Sequence, residues 1–463
     1  MDEMTSNLSG ALVEEVRRQI REHDLQTVIV GYSDLFGVLR GKHMPAAYFA
    51  KDPNQVIEFS EFIYSIDLAG EIITRPPDHT GWWPSWETGF ADFYVHADLS
   101  TFRVAPWLDR TGVVLCEVLR DGRPFLVDPR HILRRVVERT ASHGLKAVMA
   151  AELEFLLFRE TRASLYEKGF RGLEAFSHKP VPYDIRQGDI DHDIIGRLRE
   201  DLIGFGIPVI SSHPETALGQ YEVQMHHEPL PETADNAFLF KYAVKEIARL
   251  GGAVASFMAR PVVDFGSSCH IHQSLWREDG KSAFYDPDAP LHLSKTARHF
   301  VGGQMATLRD FDCLFAPYEN SFRRLTPDLA SGTTATWGFD NRTVTLRIVG
   351  HDENTLRVEH RRGGADVNPY FAMAAALAGG LYGIENEIEP PEPFEGNAYT
   401  DPSIEQLPGS LSESVDGFER SAVAKDYLGE EFVQFYARTR RWEVEQARPI
   451  PTDWEVRRFL EDV

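Results

Sequence analysis

The run Ala150-Ala151-Glu152-Leu153-Glu154-Phe155-Leu156-Leu157-Phe158 sets two carboxylates two positions apart in an otherwise apolar stretch. On a strand, side chains two apart share a face, so Glu152 and Glu154 point the same way. Like charges side by side on an apolar strand are costly unless a cation lies between them. Either this is an exposed edge face, or it belongs to a hard-cation site built from oxygen ligands. Three further stretches bear on the choice. His213-Pro214-Glu215-Thr216-Ala217-Leu218-Gly219-Gln220-Tyr221-Glu222 places two more carboxylates about a Gly-Gln turn, which a helix cap would also explain. Cys269-His270-Ile271-His272-Gln273-Ser274 puts two histidines on one strand face, a pattern that satisfied structural histidines share. Arg357-Val358-Glu359-His360-Arg361 lines up three charges as a salt-bridge ladder would. Singly, each has a structural explanation. Together they gather Glu152, Glu154, Glu215, Glu222 and Glu359 with histidines and arginines on successive strands. Carboxylate clusters suit Mg²⁺ or Mn²⁺, and arginines suit phosphate or carboxylate. This is the inventory of metal-assisted phosphoryl transfer. Asp279-Gly280-Lys281-Ser282 resembles the end of a Walker A loop but lacks its leading glycine, so it reads as a hairpin turn.

The elements that must hold these residues follow from patterning. Apolar periodicity predicts helices over 8–23, 128–143, 233–251 and 369–384, and strands over 146–158, 221–227, 269–276, 343–348 and 355–360. Residues 27–42 read as a hairpin with Asp34 near its turn. Residues 78–106 are dense in Gly, Pro, Trp and Asp and read as loop and short strand. The expected organisation is an N-terminal helix (1–24), a small, mainly β domain (25–120) and a larger domain (121–463). Strands and helices without strict alternation make the class α+β. Composition narrows the function. Asp plus Glu number 71 against 48 Lys plus Arg, a formal charge of −23 that leaves no broad basic surface for nucleic acid. The three cysteines, Cys116, Cys269 and Cys313, have no CxxC spacing, which fits a reducing cytoplasm. The polar N-terminus is not a signal peptide. The Ala- and Gly-rich run 370–384 is too short for a membrane span and reads as a buried helix.

In their order and context these motifs resemble the glutamine synthetase family, type I-like, over nearly the whole chain. Besides the stretches above, the resemblance rests on Gly266-Ser267-Ser268, Asn320-Ser321-Phe322-Arg323-Arg324-Leu325, Trp337-Gly338-Phe339-Asp340-Asn341-Arg342 and Asn368-Pro369-Tyr370. It implies a β-grasp N-terminal domain, a catalytic domain whose curved antiparallel sheet forms a funnel flanked by helices, and two stacked six-membered rings. It further implies ATP and two or three Mg²⁺ or Mn²⁺ ions per site. By position, Glu154, Glu215 and Glu222 would hold one metal, and Glu152, His270 and Glu359 another. Arg324 and Arg361, with the Gly266 backbone, would clamp the carboxylates of glutamate. Arg347 and Arg357 would face the ATP phosphates, and His272 and Ser274 the nucleotide. Arg342 would steady the phosphoryl group between the substrates, and Asp34 from a neighbour would help bind or deprotonate the amine. The implied reaction joins the γ-carboxylate of L-glutamate to an amine through γ-glutamyl phosphate.

The amine side departs from the family pattern. Where glutamine synthetases carry a flap glutamate, Thr326-Pro327-Asp328-Leu329-Ala330-Ser331-Gly332 has Ala330, with Asp328 displaced along the flap. The Asp-Gly-Ser-Ser segment of the ammonium pocket is replaced by residues 59–67, among them Glu61, Tyr64 and Asp67. The expectation is a ligase for a primary amine larger than ammonia, either a polyamine or an ethanolamine-like amine, with Glu61, Tyr64 and Ala330 shaping its pocket. A glutamine synthetase with a divergent flap and a catalytically silent relative are the competing readings. The loop 389–399 lacks the adenylylated sequence of some relatives, so Tyr399 reads as an ordinary loop tyrosine.

Overall fold

The structure is a computed structural model describing residues 3–76, 79, 81–461 and 463, without the side chains of residues 3–9 and Asp328. Its architecture is α+β, as expected, with two mixed sheets and helices packed against them. The first sheet comprises β1 (Thr27–Ser33), β2 (Leu39–Pro45), β3 (Ile57–Ser60), β4 (Asp92–Ala97), β5 (Arg103–Val104), β6 (Thr111–Arg120) and β7 (Arg123–Pro124). Its order is β2-β1-β6-β4-β3, with β5 and β7 also paired to β6. β1 and β2 form the expected hairpin, Ser33 opposite Leu39, while β1 runs parallel to β6. β6 is buried along most of its length, which is why Val113, Val114 and Leu115 form a continuous apolar run rather than an alternating one. β7 carries this sheet to Pro124, past the boundary expected at 120.

The second sheet comprises β8 (Leu145–Phe158), β9 (Val209–Pro214), β10 (Gln220–Met225), β11 (Glu228–Pro229), β12 (Val254–Ser256), β13 (Cys269–Arg277), β14 (Trp337–Phe339), β15 (Leu346–Val349) and β16 (Arg357–His360). The order is β14-β15-β16-β13-β8-β10-β9, with β11 and β12 also on β8. All pairs are antiparallel except β14–β15. β8 is the axis. Ala147, Met149, Ala151, Leu153 and Phe155 are buried on one face, and Val148, Ala150, Glu152 and Glu154 line the more open one. The strand expected at 343–348 starts later, at Leu346, because Asn341 Oδ1 accepts from the Thr343 N–H (2.9 Å) and hydroxyl (2.7 Å) and holds a turn there. Asp279–Ser282 closes the hairpin turn expected of it, with Gly280 N–H bonded to the Arg277 carbonyl at 3.0 Å.

Helices cover the buried face of β8. Asp128 caps the helix Pro129–Ser142 by accepting from the His131 N–H, and Pro129 supplies the preset first turn. Asn368 and Pro369 do the same for the helix Pro369–Glu385. That helix is apolar on every side and almost wholly buried, the mark of an internal helix. It lies so close to the helix Lys295–Thr307 that a Cβ on Gly303 would come within 2.3 Å of the Gly379 carbonyl and the Gly383 nitrogen. Among the described residues, no helix is long and apolar enough to cross a membrane.

One hydrophobic core runs through both sheets, and polar side chains fix their relation. Arg130 donates to Asp235 (3.0 and 2.8 Å) and to Asp98 of the first sheet's rim (2.7 Å), and Tyr370 donates to the same Asp235 at 2.6 Å. Arg130 and Asp235 are buried, so the guanidinium depends on its partners. Asp235→Ala should therefore destabilise the protein by about 3–5 kcal/mol, because it strands a buried cation. Thermal unfolding should show the melting temperature falling by several degrees, with a smaller loss in Asp98→Ala, whose carboxylate is more exposed.

Candidate active site

The open face of the second sheet gathers the chemistry through register alone. On β8, Glu154 lies opposite Glu222 of β10, and Glu152 lies between Gln224 of β10 and His270 of β13. His272 of β13 faces Glu359 of β16, and Glu359 faces Arg347 of β15. The period of two puts Val358 and His360 on the other face, where His360 stacks on Phe315 at 4.0 Å and burial drives its pKa down to about 3. Residues scattered over more than two hundred positions thus form one continuous patch.

The patch lines two adjoining cavities. The larger, about 490 Å³, is walled by Glu152, Glu154, Glu215, Glu222, His270 and Glu359's neighbours Arg347 and Arg361, with Gly266, Arg324 and Arg342 also on its wall. The other, about 330 Å³, is lined by Ala150, His272, Ser274, Trp276, Asn354 and Arg357. Glu152, Gln224, His272 and Arg357 border both. Of the expected residues, therefore, His272, Ser274 and Arg357 share the smaller cavity, and Arg347 stands on the larger.

At this patch the atoms able to hold a metal fall into two compact groups. One is Glu152, His272 and Glu359, the other His213, Glu215 and Glu222. In the first, His272 Nε2 is 2.9 Å from Glu152, and His270 Nδ1 stands 3.5 Å from Glu152 and 3.4 Å from Glu359. In the second, His213 Nε2 is 3.0 Å from Glu215 and 3.8 Å from Glu222. Glu154 stands beside the second group but is engaged by the Gln220 amide (2.8 Å), the Ser268 N–H (2.8 Å) and the Ser268 hydroxyl. His213 was not among the expected ligands. Its signal was present in its i, i+2 spacing to Glu215, the spacing already used for Glu152 and Glu154.

Electrostatics separates the carboxylates. Burial and the charges of Glu152, Glu154 and Glu215 push the Glu222 carboxyl up to about 9. Burial also opposes charge on Glu359, but His270, Arg361 and His272 outweigh it and hold the group at about 2. Glu152 behaves in the same way, with His270 and His272 drawing it well below the usual range. Arg347 (3.0 Å) and Arg361 both bond Glu359. Among the described residues, four buried nitrogens at this patch have no hydrogen-bond partner: Arg324 Nε, Arg347 Nε, Arg361 Nε and His270 Nε2. Orphaned guanidinium donors and an unpaired imidazole nitrogen beside crowded carboxylates fit a site that takes both anions and divalent cations.

Three expected residues do not join it. The Asp34 carboxylate is 3 % exposed and accepts from the Phe36 and Val38 N–H groups (both 2.9 Å) and Arg40 Nε (2.8 Å). It closes the β1–β2 turn within its own chain. Glu61 is equally enclosed, paired with Arg120 and accepting from Trp82 Nε1 at 3.3 Å. Tyr64 packs edge-on against Trp82, Phe93 and Phe125 in the core. These polar groups serve the first domain's interior instead of lining an amine pocket. Asp67, likewise buried, accepts from Trp442 Nε1 at 2.8 Å.

Ala330, by contrast, is on the cavity wall. It ends the short 3₁₀ turn Pro327–Leu329 in the left-handed region (φ 47°), and its carbonyl accepts from Arg361 Nη2 at 3.1 Å. Leu329, Pro182 and Tyr183 extend an apolar rim, Tyr183 stacking on His213 at 4.5 Å between centroids. Arg342, also on the wall, makes no ion pair among the described residues.

Comparison with known proteins agrees with this geometry. Residues 126–459 match the glutamine synthetase catalytic domain. The chain is 37 % identical over 450 residues to γ-glutamylethanolamide synthetase GlnA4 of Streptomyces coelicolor, covering 97 % of this chain and 96 % of that one. It is 34 % identical to a glutamate–isopropylamine ligase of a Pseudomonas species, covering 96 % and 97 %. A solved structure of apo GmaS without ligand superposes with a TM-score of 0.82 at 29 % identity, covering 96 % and 98 %. The chain belongs to the glutamine synthetase family.

Proposed function

We propose that this protein is an ATP-dependent ligase joining the γ-carboxylate of glutamate to a primary amine larger than ammonia. The observation that carries the reading is the flap. At residue 330 a methyl group stands where an acidic side chain would fill the cavity, and the rim beside it is apolar. The names of the two relatives above, an ethanolamide synthetase and an isopropylamine ligase, support a small amine over a polyamine. So does the rim of the cavity, since Pro182, Tyr183, Leu329 and Ala330 carry no carboxylate to pair with a second ammonium group.

The reaction follows from what the side chains can hold. Arg324 and Arg361 bind the carboxylates of glutamate against the Gly266 backbone, their free Nε–H groups directed at an anion. His272, Ser274 and Arg357 seat the nucleotide in the smaller cavity, and Arg347 reaches its phosphates. A γ-carboxylate oxygen attacks the terminal phosphorus, the bridging bond to ADP breaks, and Arg342 neutralises charge on the phosphoryl group in flight. The amine then attacks the acyl carbon, phosphate leaves, and the nitrogen loses a proton. Mg²⁺ or Mn²⁺, held by Glu152, His270, His272 and Glu359 on one side and by Glu154, His213, Glu215 and Glu222 on the other, would supply charge neutralisation for the phosphates. The flap and its fixed backbone keep water from the acyl phosphate.

Self-association is part of the proposal, as two stacked six-membered rings. The helix Asp453–Phe459 buries none of its residues, leaving Trp454 61 % exposed and Leu460, just past its end, 76 % exposed, which supports burial against another copy.

Two outcomes follow. Millimolar Mg²⁺ should raise the melting temperature by several degrees, since a ligand at about 100 times its Kd adds roughly 2.7 kcal/mol. Glu222→Gln should lose most of that gain while melting near the wild type without metal. An amide differs little from a carboxyl that is already protonated at neutral pH. Second, phosphate release with ATP, glutamate and Mg²⁺ should be brisk with ethanolamine or a short alkylamine and slight with ammonium. Ala330→Glu should cut kcat/KM for the larger amine by roughly tenfold or more, as an unpaired charge and added bulk do in a shaped pocket. Preference of the wild type for ammonium would return it to glutamine synthesis.

A further inference from the structure

Tyr399, unremarkable in sequence, occupies a junction. Its hydroxyl donates to the Ser331 carbonyl at 3.1 Å and lies 3.5 Å from the Arg342 carbonyl. Ser331 belongs to the flap, directly after Ala330, and is wholly buried. Its own hydroxyl bonds the Thr326 carbonyl at 2.9 Å, closing the flap on itself. The loop bearing Tyr399 is in turn tied to the segment bearing Arg342. The Ala398 N–H donates to Thr343 Oγ1 (3.0 Å), and Asn341 Nδ2 donates to the Gly396 carbonyl (2.9 Å). Burial raises the Tyr399 phenol's pKa, with Arg361 and Arg324 opposing, so the hydroxyl stands within the field of both guanidinium groups on the cavity wall. One hydroxyl therefore bridges the flap and the Arg342 segment.

We propose that Tyr399 is a positioning residue that latches the flap through the Ser331 carbonyl and so reserves the activated glutamate for the amine. The inference rests on the ligase reading above. Its chemistry is a competition at one carbon. If the flap opens, solvent water attacks the acyl carbon of γ-glutamyl phosphate, the C–O bond to phosphate breaks, and glutamate and inorganic phosphate return with no amide formed. If the flap stays latched, the amine nitrogen makes the attack and phosphate leaves with the amide made. A group that merely packed the loop would not alter that partition.

Tyr399→Phe keeps the ring and removes only the hydroxyl. A single net hydrogen bond governs a roughly two- to tenfold change in the population of a released segment. The phosphate-to-amide ratio should rise within that range, KM for the amine should rise more than kcat falls, and amides of residues 326–332 should exchange hydrogen faster in the substrate-free enzyme. Thr343→Val, which frees the Ala398 N–H, should shift the same three readings if Tyr399→Phe does not fold. An unchanged ratio overturns the proposal, whether or not exchange quickens, because the flap would then not control water. If the wild type makes no amide with any amine, the ligase reading fails. Hydrogen exchange still decides the latch, and unaltered exchange in both variants overturns it.

Discussion

The mutual repulsion of carboxylates on one sheet face is the constraint that organises this molecule. Glu152, Glu154 and Glu222 come together because β8 and β10 pair in one register, and Glu215 and Glu359 join them from either side. Nothing apolar can relieve that crowding. His270, His272 and Arg361 draw Glu152 and Glu359 into the charged state, while burial and the charges of Glu152, Glu154 and Glu215 push the Glu222 carboxyl up. The imbalance lies on the His213 side of the cavity. A divalent cation is the natural complement of the difference.

The rest of the fold is arranged to hold that face still. Its underside is the buried half of β8, against which the helices Pro129–Ser142 and Glu232–Leu250 pack. Polar ties then fix the first domain to the second: Arg130 to Asp98 and Asp235, and Asn368 Nδ2 to the Asp34 carbonyl at 3.1 Å. A charged face on a yielding support would spread its carboxylates apart. A rigid one keeps the repulsion in place until substrate and metal discharge it.

Much of this was legible in the sequence, for physical reasons that also explain the omissions. Alternation along β8 placed Glu152 and Glu154 on one face because a strand with one buried face has no freedom in the matter. The same periodicity grouped His270 with His272 and Arg357 with Glu359. The enclosure of Asp34, Glu61 and Tyr64 was not legible, because a polar residue near a turn reads the same whether it faces solvent or its own backbone. Their burial depends on partners such as Arg40, Arg120 and Phe125, which only the folded chain brings near. Tyr399 reads as an ordinary loop tyrosine for the converse reason, since its partner is a main-chain carbonyl and carries no mark in the residue types.

Two of the flap's anchors grip its main chain. Arg361 bonds the carbonyl of Ala330, and Tyr399 bonds the carbonyl of Ser331. Every amino acid carries that carbonyl, so the anchors are blind to the side chain they secure. A change of side chain at residue 330 therefore leaves both anchors, and the guanidinium beneath the loop, as they are. Substrate choice in such a scaffold is separable from its architecture, and a new specificity lies within reach of very few mutational steps.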